Sequence, residues 1–304
     1  MSKITIITPT YNRAHTLPRV YESLKKQTFQ DFEWMIMDDG STDDTENLVK
    51  EFQQENTIRI SYFREKNRHK FLTVLDGIKK VKSPYHMIVD SDDSYPENSL
   101  EILYNEAEKI TNPNDYIGIM GLSADENGNI VGNSYPKNGF DGSIFDMRYK
   151  HKVRGDKFGI FFSKSYLKQI EGKDYSEYEG KGYIPQSVIF NEYDAKGLKT
   201  RFINQVVRIY HKDENDSASV SNTRWTGKNV FGLREGHLSF LNCYGSQLFS
   251  YPKALIRNLI GYQFYSFKNK NSFGEILSDV KPVFIKILGV LALPFSFVYH
   301  KLKG

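Results

Sequence analysis

Cysteine is nearly absent from this chain of 304 residues, which contains only Cys243. A single cysteine excludes a disulfide scaffold and a structural zinc site built from four cysteines, and it is typical of a reducing compartment. A strong excess of one charge is also absent, since 41 basic and 37 acidic residues leave a net charge of +4. Nucleic-acid binding requires a concentrated basic face, so we expect no nucleic-acid partner.

Internal repeats, low-complexity stretches and an export signal are lacking as well. Residues 3–7 already predict a strand. The long apolar stretch and the small-residue cleavage site of an export signal are both lacking there, so we expect a cytoplasmic protein. Aromatic residues, in contrast, are abundant, with 20 Tyr and 21 Phe. This abundance suits a site that stacks on rings, and an ordinary large core explains it equally well.

Short apolar runs alternate with helical patterns through the first third of the chain. The predicted strands there cover residues 3–8, 32–37, 58–63 and 86–89. Strands separated by helices of this length predict an α/β fold with a Rossmann-like, mostly parallel sheet flanked by helices.

The remainder of the chain shows weaker periodicity before it turns helical. Residues 112–157 are rich in Gly, Asn and Asp and predict loops and short strands, whereas residues 200–210 alternate as a strand. Helical patterns dominate after residue 222. We therefore predict a catalytic, nucleotide-binding domain over residues 1–222 and a C-terminal helical extension over residues 223–304.

Polar motifs follow three of the predicted strands, namely TPTYNR at residues 8–13, DDGSTD at residues 38–43 and DSDD at residues 90–93. Ligands bind in the loops after the strands of an open parallel sheet. The second motif alone would also suit an ordinary turn with a helix cap. The three carboxylates of the third motif raise one another's pKa unless a cation lies between them, and a hard divalent ion would relieve this repulsion.

The order and spacing of these motifs resemble the family 2 glycosyltransferases with the GT-A fold, of the kind that builds bacterial surface polysaccharides. The resemblance covers residues 3–105 well and residues 157–221 more loosely. It implies an inverting hexosyl- or N-acetylhexosaminyl-transferase that uses Mn²⁺ or Mg²⁺. The implied donor is a nucleotide sugar, expected to be a UDP-sugar, and the implied acceptor is a growing surface glycan or a lipid-linked sugar.

The resemblance also implies roles for individual residues around the donor nucleotide. Pro9 and Tyr11 would flank the base, and Asp39 would accept hydrogen bonds from its edge. Asp90 would hold the ribose or the water shell of the metal, with Ser91 in the same nucleotide site. Asp92 would bind the metal that bridges the diphosphate, and it is therefore a candidate catalytic residue.

Three basic or imidazole residues are further candidates. Arg13 and Lys70 are candidates for phosphate contact. Lys70 ends the segment NRHK at residues 67–70, which resembles the Asn-Gly-Gly-Lys segment of the family without its two glycines. A solvated lysine at a helix start is the equal alternative. His211 lies where similar transferases close over the diphosphate or the metal, so it is a candidate metal ligand, with a surface histidine as the alternative.

The catalytic base is where this sequence departs from the family pattern. Inversion needs a carboxylate that accepts the proton of the acceptor hydroxyl. Related bacterial transferases have Pro-Glu-Gly at the relevant step, whereas residues 185–187 are PQS. Three interpretations remain. Another carboxylate is the catalytic base, with Glu179 the first candidate and Glu177 the second. Otherwise the natural protein is weakly active, or Gln186 is a substitution that removes the base. An ordinary polar residue at a helix start is the plain alternative for Gln186.

The C-terminal residues 283–299 are almost all apolar, interrupted by Lys286, Gly289 and Pro294. A helix of this length spans about 25 Å, short of a hydrocarbon core of about 30 Å. We therefore expect a helix that lies in the membrane interface and places the protein peripherally on the inner face of the cell membrane. The alternative is a core helix, or a dimer helix in a homo-oligomer.

Two other functions remain open. A sugar-nucleotide-binding protein that has lost its base at Gln186 would keep the same motifs without transfer. A nucleotidyltransferase shares a similar sheet, but it usually has a Gly-rich loop with a lysine after the first strand. Residues 9–13 contain no glycine, which counts against this second alternative.

Overall fold

The computed structural model describes residues 2–212 and 229–303, which form two compact units. The first unit comprises residues 2–173 and 197–212, and the second comprises residues 174–196 and 229–303. The predicted domain boundary at residue 222 lies outside the described residues. Residues 174–196, which we predicted to be part of the catalytic domain, group with the C-terminal helices instead.

The described part of the first unit contains one sheet of eight strands. The strands are β1 Ile4–Thr10, β2 Phe32–Asp38, β3 Ile60–Arg64, β4 Tyr85–Ile88, β5 Tyr116–Asp125, β6 Phe140–Gly142, β7 Lys157–Phe162 and β8 Lys199–Tyr210. Their order is β3-β2-β1-β4-β7-β5-β8-β6. The pairs β2/β3, β1/β2, β1/β4 and β5/β8 are parallel, and the pairs made by β7 and β6 are antiparallel. The predicted fold class is confirmed.

Helices connect these strands, and the first four lie where the sequence pattern predicts them, whereas the fifth lies in the segment predicted as loops and short strands. The helices of the first unit are α1 Leu17–Lys25, α2 Thr45–Glu55, α3 His69–Lys80, α4 Ser99–Glu108, α5 Ile144–Tyr149 and α6 Ser163–Ile170. In α1 the apolar residues Leu17, Val20, Tyr21 and Leu24 recur at helical spacing, and all four are buried.

The core beneath β1 and β2 is aromatic. Tyr21 and Phe52 stack with ring centroids 4.0 Å apart, and each lies 6.1 Å from the ring of Trp34. The indole Nε1 of Trp34 donates a hydrogen bond of 2.8 Å to Thr8 Oγ1, so its one polar group is satisfied. Part of the aromatic abundance therefore serves packing.

Residues 116–125 form a long strand, and the expectation of loops and short strands was wrong there. β5 pairs with both β7 and β8, and eight of its successive residues are buried. A Cβ at Gly118 would collide with the Ile160 carbonyl oxygen of β7. Gly118, which weakens the apolar pattern of this strand, is therefore required by the close approach of the β7 backbone.

The second unit is helical in its described part. Its helices are α7 Ser187–Ala195, α8 Val230–Tyr244, α9 Pro252–Lys268, α10 Phe273–Ser278 and α11 Val283–Lys303. The Tyr244 hydroxyl donates a 2.8 Å hydrogen bond to Asp194, and Ser239 bonds both Asn191 and the Val188 carbonyl. These contacts between α7 and α8 explain why residues 174–196 belong with the C-terminal helices.

Buried His86 gives the first unit a pH-dependent stability. Its Nδ1 bonds Ser163 Oγ at 3.1 Å, and burial lowers the pKa of His86 to about 3. The folded state therefore holds this ring neutral, whereas the unfolded chain protonates it below about pH 6.5. Lowering the pH from about 7.5 to about 5.5 should therefore reduce the free energy of unfolding of the wild type. We expect this reduction to be about 1.4 kcal/mol larger than in His86→Gln.

Urea unfolding of both proteins at the two pH values measures this difference, because other titrating groups contribute equally to both. Parallel losses of stability in the two proteins would contradict a neutral buried His86.

Candidate active site

The loops after β1, β2 and β4 meet at one edge of the sheet. These strands are adjacent and parallel, with Thr10 in register with Asp38. The Asp39 N–H donates to the Thr10 carbonyl at 2.8 Å, and the Val89 N–H donates to the Ile7 carbonyl at 2.8 Å. We call residues 9–13, 38–43 and 90–93 together the strand-end site, since they share the edge where open parallel sheets bind ligands.

Asn12 joins the first loop to the second. It lies in the left-handed region with φ 54°, which asparagine tolerates better than most residues. Its Oδ1 accepts hydrogen bonds from the Thr42 N–H at 2.7 Å and the Asp43 N–H at 3.3 Å, and its own N–H donates to Ser41 Oγ at 2.9 Å. The two loops therefore form one rigid wall of the site.

The predicted base-flanking residues lie on this wall. Pro9 is buried at the end of β1, whereas the Tyr11 side chain is 42% exposed and offers a ring face to a ligand. Arg13 is buried, and its N–H donates to Thr45 Oγ1 at 3.3 Å.

Two neighbouring carboxylates close the second loop. Asp38 accepts the Ser41 N–H at 2.8 Å and the Tyr62 hydroxyl. Asp39 Oδ1 accepts the Arg68 N–H at 2.7 Å and the Thr73 hydroxyl at 2.9 Å. Burial raises the pKa of Asp39, with these hydrogen bonds acting in the opposite direction. The start of α3 is thereby fixed to the predicted nucleotide site.

Lys70 also connects α3 to the site. Its Nζ lies 2.5 Å from Asp90 Oδ1, although neither side chain is deeply buried, with 40% and 35% exposed. Burial acts to raise the pKa of Asp90, but the Lys70 ammonium outweighs it, with help from Arg208, and the pKa is lowered. Lys70 is therefore an ion-pair partner within the strand-end site, despite the missing glycines of its segment.

The third loop forms a cluster of three carboxyl groups. One oxygen each of Asp90, Asp92 and Asp93 lies within 4.8 Å of the others. Burial and the Asp90 charge raise the pKa of Asp92. Burial, together with Asp90 and Asp92, raises the pKa of Asp93 to about 7, although Arg208 opposes it. Excess negative charge on closely spaced oxygen donors fits a hard divalent cation, so the residues present suit Mn²⁺ or Mg²⁺.

Within this cluster Asp93 is already engaged by the protein. Its Oδ1 accepts the His211 N–H at 3.2 Å, and its Oδ2 lies 3.3 Å from Arg208 Nη1. Asp90 and Asp92 are therefore the better candidates to hold a cation. Ser91, between them in sequence, is buried.

His211 lies beside the cluster, but both of its ring nitrogens have partners. Nε2 lies 2.8 Å from Ser94 Oγ, and Nδ1 lies 2.6 Å from Glu126 Oε1. Coordination of a metal by His211 would require one of these partners to leave. The assignment of His211 as a ligand stays a prediction.

Arg208 is a site residue that the sequence analysis missed. Its side chain is 4% exposed on β8, where Nη2 donates to Asp156 at 2.7 Å and Nε donates to Ser123 Oγ at 3.0 Å. The available signal was an arginine within the alternating pattern of residues 200–210. Arg19 was missed as well, and its Nη1 donates to the Asp92 carbonyl at 2.7 Å.

The candidates for the catalytic base lie in the second unit. Gln186 is half-buried at the N-cap of α7, where its carbonyl accepts the Ile189 N–H at 2.9 Å and the Phe190 N–H at 3.1 Å. Glu179 and Glu177 are exposed at the 3₁₀ turn Ser176–Tyr178. Their roles in catalysis stay predictions.

Residues 5–170 match the model of glycosyl transferase family 2. Because this match covers more than half of the chain, the chain belongs to glycosyl transferase family 2, and the predicted family and enzyme class are confirmed.

Named relatives come from several bacteria. A GalNAc(5)-diNAcBac-PP-undecaprenol beta-1,3-glucosyltransferase of Campylobacter jejuni is 24% identical over 82% of this chain and 76% of its own length. The poly(ribitol-phosphate) beta-N-acetylglucosaminyltransferase TarP of Staphylococcus aureus is 30% identical over 56% of this chain and 49% of its own. An uncharacterized glycosyltransferase of Rickettsia bellii is 33% identical over 45% of this chain, and the match spans only 20% of that protein.

Two solved structures share the fold. S. aureus TarS 1-349 in complex with UDP-GlcNAc aligns with TM-score 0.56 and 19% identity, covering 92% of this chain and 82% of that TarS 1-349 chain. A mannosyltransferase from Pyrobaculum calidifontis, in complex with GDP-Man and Mn²⁺, aligns with TM-score 0.57 and 13% identity over 98% of this chain and 83% of its own.

Loss of the buried Arg208 guanidinium should destabilise the first unit. Arg208→Met leaves Asp93 buried without its cation, and we expect a loss of about 3 kcal/mol in urea unfolding at neutral pH. The double variant Arg208→Met with Asp93→Asn removes both charges and should recover about half of that loss. A single-variant loss below about 1 kcal/mol would contradict the assigned ion pair.

Proposed function

We propose that this protein is a metal-dependent, inverting glycosyltransferase with a UDP-sugar donor. The observation that carries the proposal is the meeting of a tyrosine loop, an aspartate loop and an acidic cluster at one edge of a parallel sheet. Two proteins that share this fold support a nucleotide-sugar donor and a divalent cation. TarS was solved in complex with UDP-GlcNAc, and the mannosyltransferase in complex with GDP-Man and Mn²⁺.

The residues of the strand-end site would bind the nucleotide by stacking, hydrogen bonding and charge. The exposed Tyr11 ring would stack on the base beside Pro9, and Asp39, held rigid by Arg68 and Thr73, would accept from the base edge. Ser91 would contribute to the same nucleotide site.

Cationic side chains would bind the diphosphate. Lys70 is half-exposed and pairs with Asp90 Oδ1, and it would exchange this carboxylate for a phosphate oxygen when donor binds. Arg13 would add a second positive charge at the same edge. Asp90 and Asp92 would hold Mn²⁺ or Mg²⁺, which when bound neutralises charge on the departing nucleoside diphosphate.

The acceptor is proposed to be a growing surface glycan or a lipid-linked saccharide. The names of two relatives support this class, since one refers to an undecaprenol diphosphate-linked saccharide and the other to poly(ribitol-phosphate). An acceptor on a polyprenol would place the protein at the inner face of the cell membrane, as a peripheral protein.

A catalytically impaired, sugar-nucleotide-binding protein is the second candidate. The observation that favours it is Gln186 at the position where the family resemblance implies a carboxylate, because an amide cannot accept the acceptor proton near neutral pH.

Metal-dependent nucleotide binding tests the first part of the proposal. By calorimetry, wild type should bind UDP at least about tenfold more tightly with Mn²⁺ than with EDTA, and Asp92→Asn should lose this difference. Asp115→Asn, an exposed aspartate of the 3₁₀ turn Pro113–Asp115, is the matched control and should behave as wild type. Equal UDP affinity with and without Mn²⁺ in wild type would overturn the metal-dependent mechanism.

The identity of the base is tested by restoring a carboxylate. Gln186→Glu should raise sugar transfer on the order of 100-fold if position 186 is a disabled base, with Gln54→Glu as the exposed control. UDP release from a panel of UDP-sugars, with and without saccharide acceptors, measures the rate. If Gln186→Glu leaves the transfer rate unchanged and Glu179→Gln lowers it on the order of 100-fold, the base is Glu179. This result would contradict the impaired-site interpretation.

A further inference from the structure

The fully buried residues of helix α11 are small or polar, apart from Ile285. Ile285, Gly289 and Ser296, four and seven positions apart, form one stripe along the helix, and all three are buried. A helix that packs on a protein core from water normally does so with its large apolar residues. Here only Ile285 of the three is of that kind.

The buried stripe is bonded to α9 by a glutamine. Gln263, 1% exposed, donates from Nε2 to the Gly289 carbonyl at 2.8 Å and accepts the Ser296 hydroxyl at 2.7 Å on Oε1. Small residues that allow close approach, and interhelical hydrogen bonds between polar side chains, are the means by which helices associate in lipid.

The opposite face of α11 is apolar and exposed. Val283, Ile287, Leu291, Phe295 and Leu302 are each 59% to 78% exposed. By length and composition Val283–Leu302 could cross a membrane, with a mean hydropathy of 1.8, yet only 17% of its most apolar window is buried. A large continuous apolar face of this kind marks a surface that another phase or molecule covers.

The charged residues of α11 and of the segment from residue 281 onward are of one sign. Residues 281–304 contain four lysines and no acidic residue. Lys270 and Lys301 border a cleft of about 270 Å³, which Phe267, Phe273 and Phe297 also line. Within the described residues, neither ammonium lies within 4.0 Å of a carboxylate. The cleft therefore combines cationic groups with aromatic rings beside the apolar face.

We infer that the exposed face of α11, with the cleft between Lys270 and Lys301, is a docking surface for the anionic surface of a phospholipid bilayer. The apolar side chains enter the interface and the two lysines contact lipid phosphates. A second copy of the chain is less suited, because two such faces would bring lysines of like charge together.

This inference deepens the proposed function, since a lipid-linked acceptor lies at the same surface. It is nevertheless tested without donor or acceptor, so that its failure and the failure of the proposed glycosyl transfer are distinguishable. The probe is the full chain with vesicles of phosphatidylcholine alone, or of phosphatidylcholine mixed with phosphatidylglycerol, measured by co-sedimentation.

Wild type should bind the mixed vesicles at least about tenfold more tightly than neutral ones and should be released by high salt. The double variant Leu291→Ser, Phe295→Ser should lose at least about tenfold in binding, with Phe63→Ser of β3 as the exposed apolar control. The pair Lys270→Glu, Lys301→Glu should lose about tenfold on mixed vesicles only, with Lys82→Glu, Lys164→Glu as control. Circular dichroism and urea unfolding verify the folding of each variant.

Several results would overturn the inference. Equal binding of the apolar double variant and wild type would exclude α11 as the docking face. Absence of vesicle binding, with a dimer in size-exclusion chromatography that Leu291→Ser, Phe295→Ser dissociates, would assign the face to a second copy. Resistance of bound protein to alkaline extraction would show a spanning helix instead of an interfacial one.

Discussion

The first unit depends on how the protein compensates three carboxylates at the exit of one buried strand. Asp90, Asp92 and Asp93 lie too close for all three to ionise without positive charge nearby. The compensation comes from distant parts of the chain, because Lys70 precedes the cluster at the start of α3 and Arg208 follows it on β8. A local acidic sequence thus requires long-range structure.

The two cationic side chains, Arg208 and Lys70, differ in burial, and they pair with different carboxylates of the cluster. Arg208 is buried and shared among Asp93, Asp156 and Ser123, so it is a fixed structural charge. Lys70 is half-exposed and can leave Asp90 at little cost in desolvation. Asp93 is therefore bound to the scaffold, whereas Asp90 pairs with a lysine that lies close to solvent.

The sequence was sufficient to predict features that depend on neighbouring residues. It was not sufficient where contacts between distant elements determine the structure. The strand-end motifs could be placed at one edge of the sheet because parallel strands direct their carboxyl ends the same way. Arg208 could not be assigned, since its partners are contributed by other strands and loops. β5 was missed because Gly118 interrupts its apolar pattern where the Ile160 backbone approaches closely, and residues 174–196 group with the C-terminal helices because Asn191 of α7 bonds Ser239 of α8.

In helix α11 the distribution of buried and exposed residues differs from that of an ordinary surface helix in water. Ser296 and Gly289 face Gln263, while Leu291 and Phe295 face outward, an arrangement that water opposes and lipid favours. The observed orientation satisfies the Gln263 amide on both its oxygen and its nitrogen. Polar satisfaction inside and apolar exposure outside therefore occur together, and both agree with the docking surface that we infer for α11.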